Sequence, residues 1–195
     1  MRLAGSSSSS RDSGFTIVEV LVALLIIAVM AAGTAQLFAV SIRATHAARN
    51  QTSTTVLAAQ KMEQLRSLTW GFDEAGSGLP VSDLTTTLAA EPPSGAGAGL
   101  NPSPPGTLDQ NVAGYVDYLD PRGQWVGTGA APPATAVYIR RWSIEPLPTN
   151  PNNTLVFQVL VTTVKRESEA PGAAGGRRRM ADDALLVSVK TRKAR

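Results

Sequence analysis

The chain has 195 residues, 43% hydrophobic and only 17% charged, which is room for one ordinary domain plus an appendage. It contains no cysteine and one histidine, His46, which excludes disulfides, thiolate metal sites, a cysteine nucleophile and polyhistidine metal centres. The net charge of +3 is unevenly spread: residues 177–195 hold seven basic side chains against two acidic ones, whereas residues 15–176 hold nine against twelve. The basic end of the chain offers itself to acidic lipid, nucleic acid or an acidic partner, although a solvated strand end accounts for it more simply.

Val20 to Met30 (VLVALLIIAVM) has no polar side chain, and no charged residue occurs between Glu19 and Arg43. Those twenty-three residues span about 35 Å as a helix, enough to cross a hydrocarbon core of ~30 Å. Backbone groups in lipid must bond internally, so one transmembrane helix is expected. The competing reading is a secretory signal peptide with Arg2 and Arg11 as its positive region and a cleavage site near Ala35. Against it stand the length of the run and the acid near its start.

Glu19 is the informative residue. A solvated position at the headgroup boundary would explain it, but its relation to Phe15 suggests more. If the chain were cut after Gly14, Phe15 would carry a new amino group four residues before Glu19, on the same helix face. That amine would neutralise the carboxylate, within one chain or from a neighbour shifted along the helix.

Gly14-Phe15-Thr16-Ile17-Val18-Glu19 followed by VLVALLIIAVM resembles the processing and methylation motif of type IV pilins and type II secretion pseudopilins. The resemblance implies cleavage between Gly14 and Phe15 by a prepilin peptidase, N-methylation of Phe15, and a role for Glu19 in setting subunit register. It also implies other pilin or pseudopilin subunits, an inner-membrane assembly platform and the lipid bilayer as partners, with the amino terminus cytoplasmic and the head extracytoplasmic. The chain departs from many major pilins: Ser13 precedes the glycine, the apolar helix has no proline, and there is no cysteine pair. A minor subunit is therefore expected.

Proline is absent until Pro80, and residues 43–68 still read as helix, with Ala58, Met62, Leu65 and Leu68 as an apolar stripe. Lys61, Glu63, Gln64 and Arg66 are placed beside or opposite it. Gly71 is expected to stop the helix after Trp70, and the QTSTT patch at residues 51–55 is its weakest part. Such a helix, from Phe15 to Trp70, would be roughly 84 Å long.

The remainder alternates loops and strands. Residues 80–106 and 127–136 are rich in proline and glycine and read as loops. Tyr115 to Leu119 reads as a short strand, DPRG at 120–123 as a turn, and Gln124-Trp125-Val126 as the return. VYIRRWSIE (137–145), TLVFQVLVTTV (154–164) and ALLVSVKT (184–191) read as antiparallel strands. Both faces of the second are apolar, which marks it as the central strand under the helix. The expected fold is α+β: a long N-terminal helix packed by its second half on a small antiparallel sheet, as the resemblance also implies. The expected divisions are a leader at 1–14, a transmembrane and filament-core helix at 15–42, an amphipathic continuation at 43–70, and a head at 71–195.

Catalytic residues, cofactors and metals are not expected. There is no phosphate loop or dinucleotide fingerprint, and His46 reads as a solvated helix residue. Asp117 with Asp120, and Asp182 with Asp183, read as solvated turn acids rather than calcium ligands. Arg140, Arg141 and Trp142 offer a grip for an anion, but DNA is a disfavoured partner. A membrane-anchored extracytoplasmic binding module, independent of filament assembly, is the alternative to a filament subunit.

Overall fold

The computed structural model describes residues 16–73, 77–169 and 182–192. The chain divides into two compact units, the first ending at His46 and the second beginning at Ala47. Helix α1, Ile17–Ser67, runs through 51 residues. In the first unit its apolar side chains from Ile17 to Ile42 are exposed. The QTSTT patch does not interrupt it. Thr45, Thr52 and Thr55 donate their hydroxyls to the carbonyls of Ser41, Ala48 and Gln51, one turn back, so these side chains satisfy themselves within the helix.

The helix ends at Ser67, three residues before the expected stop. Gly71 is not its terminator: Trp70–Phe72 forms a strand, β1, paired antiparallel with β2, Pro80–Ser82, with Gly71 opposite Val81. The end of α1 is instead closed by Lys190, whose ammonium donates to the carbonyls of Arg66 and Leu68. A cation on the last free carbonyls is favoured there by both hydrogen bonding and the helix dipole.

The second unit also holds a five-stranded antiparallel sheet of β3 (Val116–Leu119), β4 (Trp125–Gly127), β5 (Tyr138–Pro146), β6 (Thr154–Thr163) and β7 (Ala184–Thr191). Its order is β4-β3-β5-β6-β7. The centre is therefore β5 rather than β6, and β5 is the more continuously buried of the two, with seven consecutive buried residues from Tyr138 to Ile144. Alternation of apolar residues did not reveal this because two of those seven are arginines. A short helix, α2 (Val164–Glu169), follows β6.

One face of the sheet receives α1. Leu57, Ala58, Met62 and Leu65 pack on Trp142, Ile144, Leu155, Phe157, Val159 and Val161. Burying each of Leu57, Met62 and Leu65 contributes about 1.5–3 kcal/mol. Leu68 is only half-buried, and the buried helix face extends instead to Thr54 and Lys61. The stretch read as an irregular loop also enters this core, through Leu88, Ala89 and Leu100. On the opposite face Val116, Tyr118, Ala136 and Ile139 form a smaller cluster, joined by Val164 of α2.

The DPRG turn sits against α1. Asp120 accepts the backbone N–H of Arg122 and of Gln124, each at 2.8 Å, and Gly123 has a φ of 78°. A Cβ at Gly123 would stand 2.9 Å from Leu57 Cδ2. Gly123→Ala is therefore expected to destabilise the head by about 1–3 kcal/mol, from a left-handed backbone and a crowded Leu57 together. Urea unfolding followed by tryptophan fluorescence measures the loss.

Candidate functional site

Gly14 and Phe15 lie outside the described residues. Glu19 occupies the first turn of α1 and is exposed. Thr16 precedes the helix and caps it: its Oγ1 accepts the Glu19 N–H at 3.2 Å, and its carbonyl accepts the Val20 N–H at 3.2 Å. Thr16 and Glu19 thus stand in the spacing of a capping pair, with a carboxylate at the positive end of a helix dipole. Among the described residues Glu19 has no ionic partner, so its charge is free to meet one supplied from outside them. α1 is long and apolar enough to cross a membrane.

A second polar centre lies between α1 and the sheet. Asp117 on β3 stands directly opposite Arg140 on β5. The guanidinium grips the carboxylate with both arms, Nε to Oδ1 and Nη2 to Oδ2, each at 2.8 Å. Lys61 reaches the same carboxylate from α1, with Nζ 2.7 Å from Oδ2, and both side chains are 1% exposed. Its ammonium also donates to the Leu88 carbonyl at 2.7 Å and lies 4.5 Å from the centroid of the Trp142 ring. Arg140 Nη1 reaches the Leu57 carbonyl at 3.3 Å, and Nη2 stands 3.9 Å from Glu91 Oε2. Two cations thus face one buried and one partly exposed carboxylate. Burial is the largest influence on Lys61 and pulls its pKa from 10.5 down to about 8, against the opposing pull of Asp117.

Four sequence-based expectations change here. Asp117 is buried and paired, not a solvated turn acid. Lys61, placed beside or opposite the apolar stripe, lies on the buried face of α1 itself. Arg140 is committed to Asp117. Arg141 points to the other side of the sheet, where Asn111 accepts from its Nε and Nη2 at 2.9 and 2.6 Å and Glu167 lies 3.0 Å from Nη2. Neither arginine is a free grip for DNA or another anion. The signal for Lys61 was in its spacing, since it lies four residues from both Leu57 and Leu65 on one helix face.

The basic end of β7 is likewise engaged rather than solvated where it is described. Beyond the Lys190 contacts, Arg192 stacks on Trp70 with Cζ 3.6 Å from the ring centroid. It also donates to the carbonyls of Asn152 and Gly71 at 2.8 and 2.9 Å. Arg177, Arg178, Arg179, Lys193 and Arg195 lie outside the described residues. His46 is exposed on α1. Among the described residues no group of three or more histidine, aspartate or glutamate side chains is placed to hold a metal ion.

Comparison with known proteins isolates the first of these two centres. The family model described as the prokaryotic N-terminal methylation motif matches residues 9–35, which include Gly14, Phe15 and Glu19. No match was found among curated proteins, and none among solved structures.

Proposed function

With an N-terminal segment of the type IV pilin-like precursor kind as premise, we propose that the chain is a minor pilin or pseudopilin, a structural subunit rather than an enzyme. The observation that carries this reading is the methylation-motif match at residues 9–35, which takes in the start of the exposed apolar helix α1. In this account residues 1–14 are a leader that prepilin peptidase removes after Gly14, and Phe15 becomes the methylated amino terminus. Residues 15–42 anchor the subunit in the inner membrane with the amino terminus cytoplasmic, residues 43–67 continue the helix, and the residues from 68 onward form the extracytoplasmic head.

The geometry at the start of α1 supports a role for Glu19. Thr16 caps the helix and places Glu19 in its first turn. A cut after Gly14 leaves the new amine one residue before that cap. In a filament the amine of an adjacent subunit would pair with Glu19 and fix the stagger between neighbours, because an unpaired carboxylate among apolar helices is costly. The other partners in this account are the assembly platform and neighbouring pilin or pseudopilin subunits.

The test is the amino terminus of the protein isolated from its native host, read by peptide mass spectrometry. A chain beginning at methylated Phe15 is expected. An intact leader in cells with an active prepilin peptidase would make the protein a permanently anchored binding module instead. Cleavage near Ala35 would make it a conventionally secreted one.

A further inference from the structure

Among the described residues, strand β7 closes one end of the five-stranded sheet and pairs with β6 on one side only. The Arg192 N–H donates to the Asn153 carbonyl at 2.8 Å. That bond sets the phase of the ladder, because hydrogen-bonded and non-bonded pairs alternate along antiparallel strands. Leu186, Ser188 and Lys190 therefore turn their backbone groups toward β6, while Leu185, Val187 and Val189 turn theirs away from the sheet. The side chains of the latter three lie on the sheet face opposite α1, since Ala184 and Leu186 pack on the α1 side. Val187 is 59% exposed and Val189 56%, and Val156, beside Val189 on β6, is half-buried.

Edge strands are ordinarily blunted by a proline, a bulge or a lysine on the edge. β7 has no proline and an unbroken register with β6. Its one lysine folds back, since Lys190 donates to the Arg66 and Leu68 carbonyls. An extended strand is the occupant that meets the outward N–H and C=O groups and covers the two valines together. The flanks of β7 say which strand. Asp182 and Asp183 precede it, and Lys190 and Arg192 end it, so a second β7 laid antiparallel sets an acidic end against a basic end twice. With Val187 opposite Val187 of the second copy, Leu185 meets Val189 and Asp182 meets Arg192. The Asp182 main chain is fixed by the Thr54 hydroxyl, which donates to its carbonyl at 3.0 Å. Arg192 is held by the Trp70 ring and by the carbonyls of Asn152 and Gly71, neutral groups that leave its charge to be met. We propose that β7 is a self-association edge: a second copy of this chain adds its own β7 antiparallel and continues the sheet across a two-fold axis. The pairing engages residues 182–192 alone and does not rest on the filament-subunit reading.

The chain has no cysteine of its own, so single introduced cysteines report the pairing cleanly. Full-length chains in detergent, each with one cysteine, are treated with a mild oxidant and resolved on non-reducing gels. Hydrogen-bonded residues facing each other stand about 5.5 Å apart at Cα, within disulfide reach. Val187→Cys should link to itself severalfold more than Val56→Cys, an exposed position on α1. Mixed Leu185→Cys and Val189→Cys chains should link to each other. Each alone should link weakly, because about 13 Å of strand separates the two copies of either position. A yield at Val187 no higher than at Val56 would overturn the proposal, as would self-links at Leu185 equal to the mixed ones. Val189→Pro added to Val187→Cys should abolish the link, since it deletes an outward N–H and no bond within the sheet; a link that survives it counts against the proposal. Should that variant lose native circular dichroism, the mixed-chain result decides. In membranes of the native host, a Val187 link found only to a different protein would assign the edge to that protein and overturn self-association.

Discussion

Asp117→Asn should lower the stability of the head by about 3–5 kcal/mol, the usual loss when one partner of a buried ion pair is removed. The side chain keeps its shape, but Lys61 and Arg140 are left as two buried cations with only the partly exposed Glu91 opposite them. A ceiling follows from Lys61 itself. Shedding its proton at pH 7 from an ordinary pKa of 10.5 costs about 5 kcal/mol, after which the repulsion is gone. For a chain of this size the loss corresponds to a fall in thermal midpoint on the order of 10 °C, readable by circular dichroism. Lys61→Met is expected to differ sharply, with little loss or a small gain at pH 7.

The same centre predicts an unusual pH dependence. Lys61 is held at about 8 in the folded head by burial, whereas the unfolded chain keeps that proton to about 10.5. Between those values the unfolded state binds more protons, so stability rises with pH, by on the order of 3 kcal/mol across the window. Below pH 8 the group is protonated in both states and contributes no slope. Denaturant midpoints measured from pH 7 to pH 10 should climb for the wild type, and Lys61→Met should remove that climb. A wild-type midpoint that stays flat or falls over this range would show that the Lys61 proton is held in the folded head as firmly as in water.

Glu19→Ala should abolish filament incorporation while leaving membrane insertion intact. Removing the carboxylate makes the first turn of α1 more apolar, so partition into the bilayer is if anything favoured. What is lost is the only charge between the proposed new amino terminus and Arg43, and with it the pairing that selects one stagger among many similar apolar contacts. Fractionation of membranes and sheared filaments separates the two effects. Incorporation at the wild-type level would remove Glu19 from the assembly mechanism, whatever the outcome of amino-terminal sequencing.

Much of the architecture was legible because it follows from period and punctuation. The absence of proline before Pro80 and the long apolar run announce α1, and alternating apolar residues announce β6 and β7. The DPRG turn is read from an aspartate that bonds its own backbone and a glycine in the left-handed region. The hairpin of β1 and β2 was hidden because three residues are too few to show alternation. Pro80 argued against a strand as well, yet it is tolerated as the first residue of one. The buried centre was hidden for a different reason. Charged residues default to solvent, and Asp117, Arg140 and Lys61 reveal themselves only when the three are brought together from 79 positions of chain. The residues of the cleavage motif were legible in the opposite sense: Gly14 and Phe15 carry their meaning in sequence pattern, and of the three residues given a role by the motif only Glu19 is described in the structure.

The clamp between the first helix and the last strand also has a temporal side. Thr54 waits for Asp182, 128 positions later, and the end of α1 waits for Lys190, 124 positions after Arg66. A ribosome adding about 5–20 residues per second takes roughly 6–25 s to cover that distance. Throughout this interval the apolar stripe of α1 has emerged while the strand that fastens it has not. Any cell making this protein must shelter that stripe until β7 has been made.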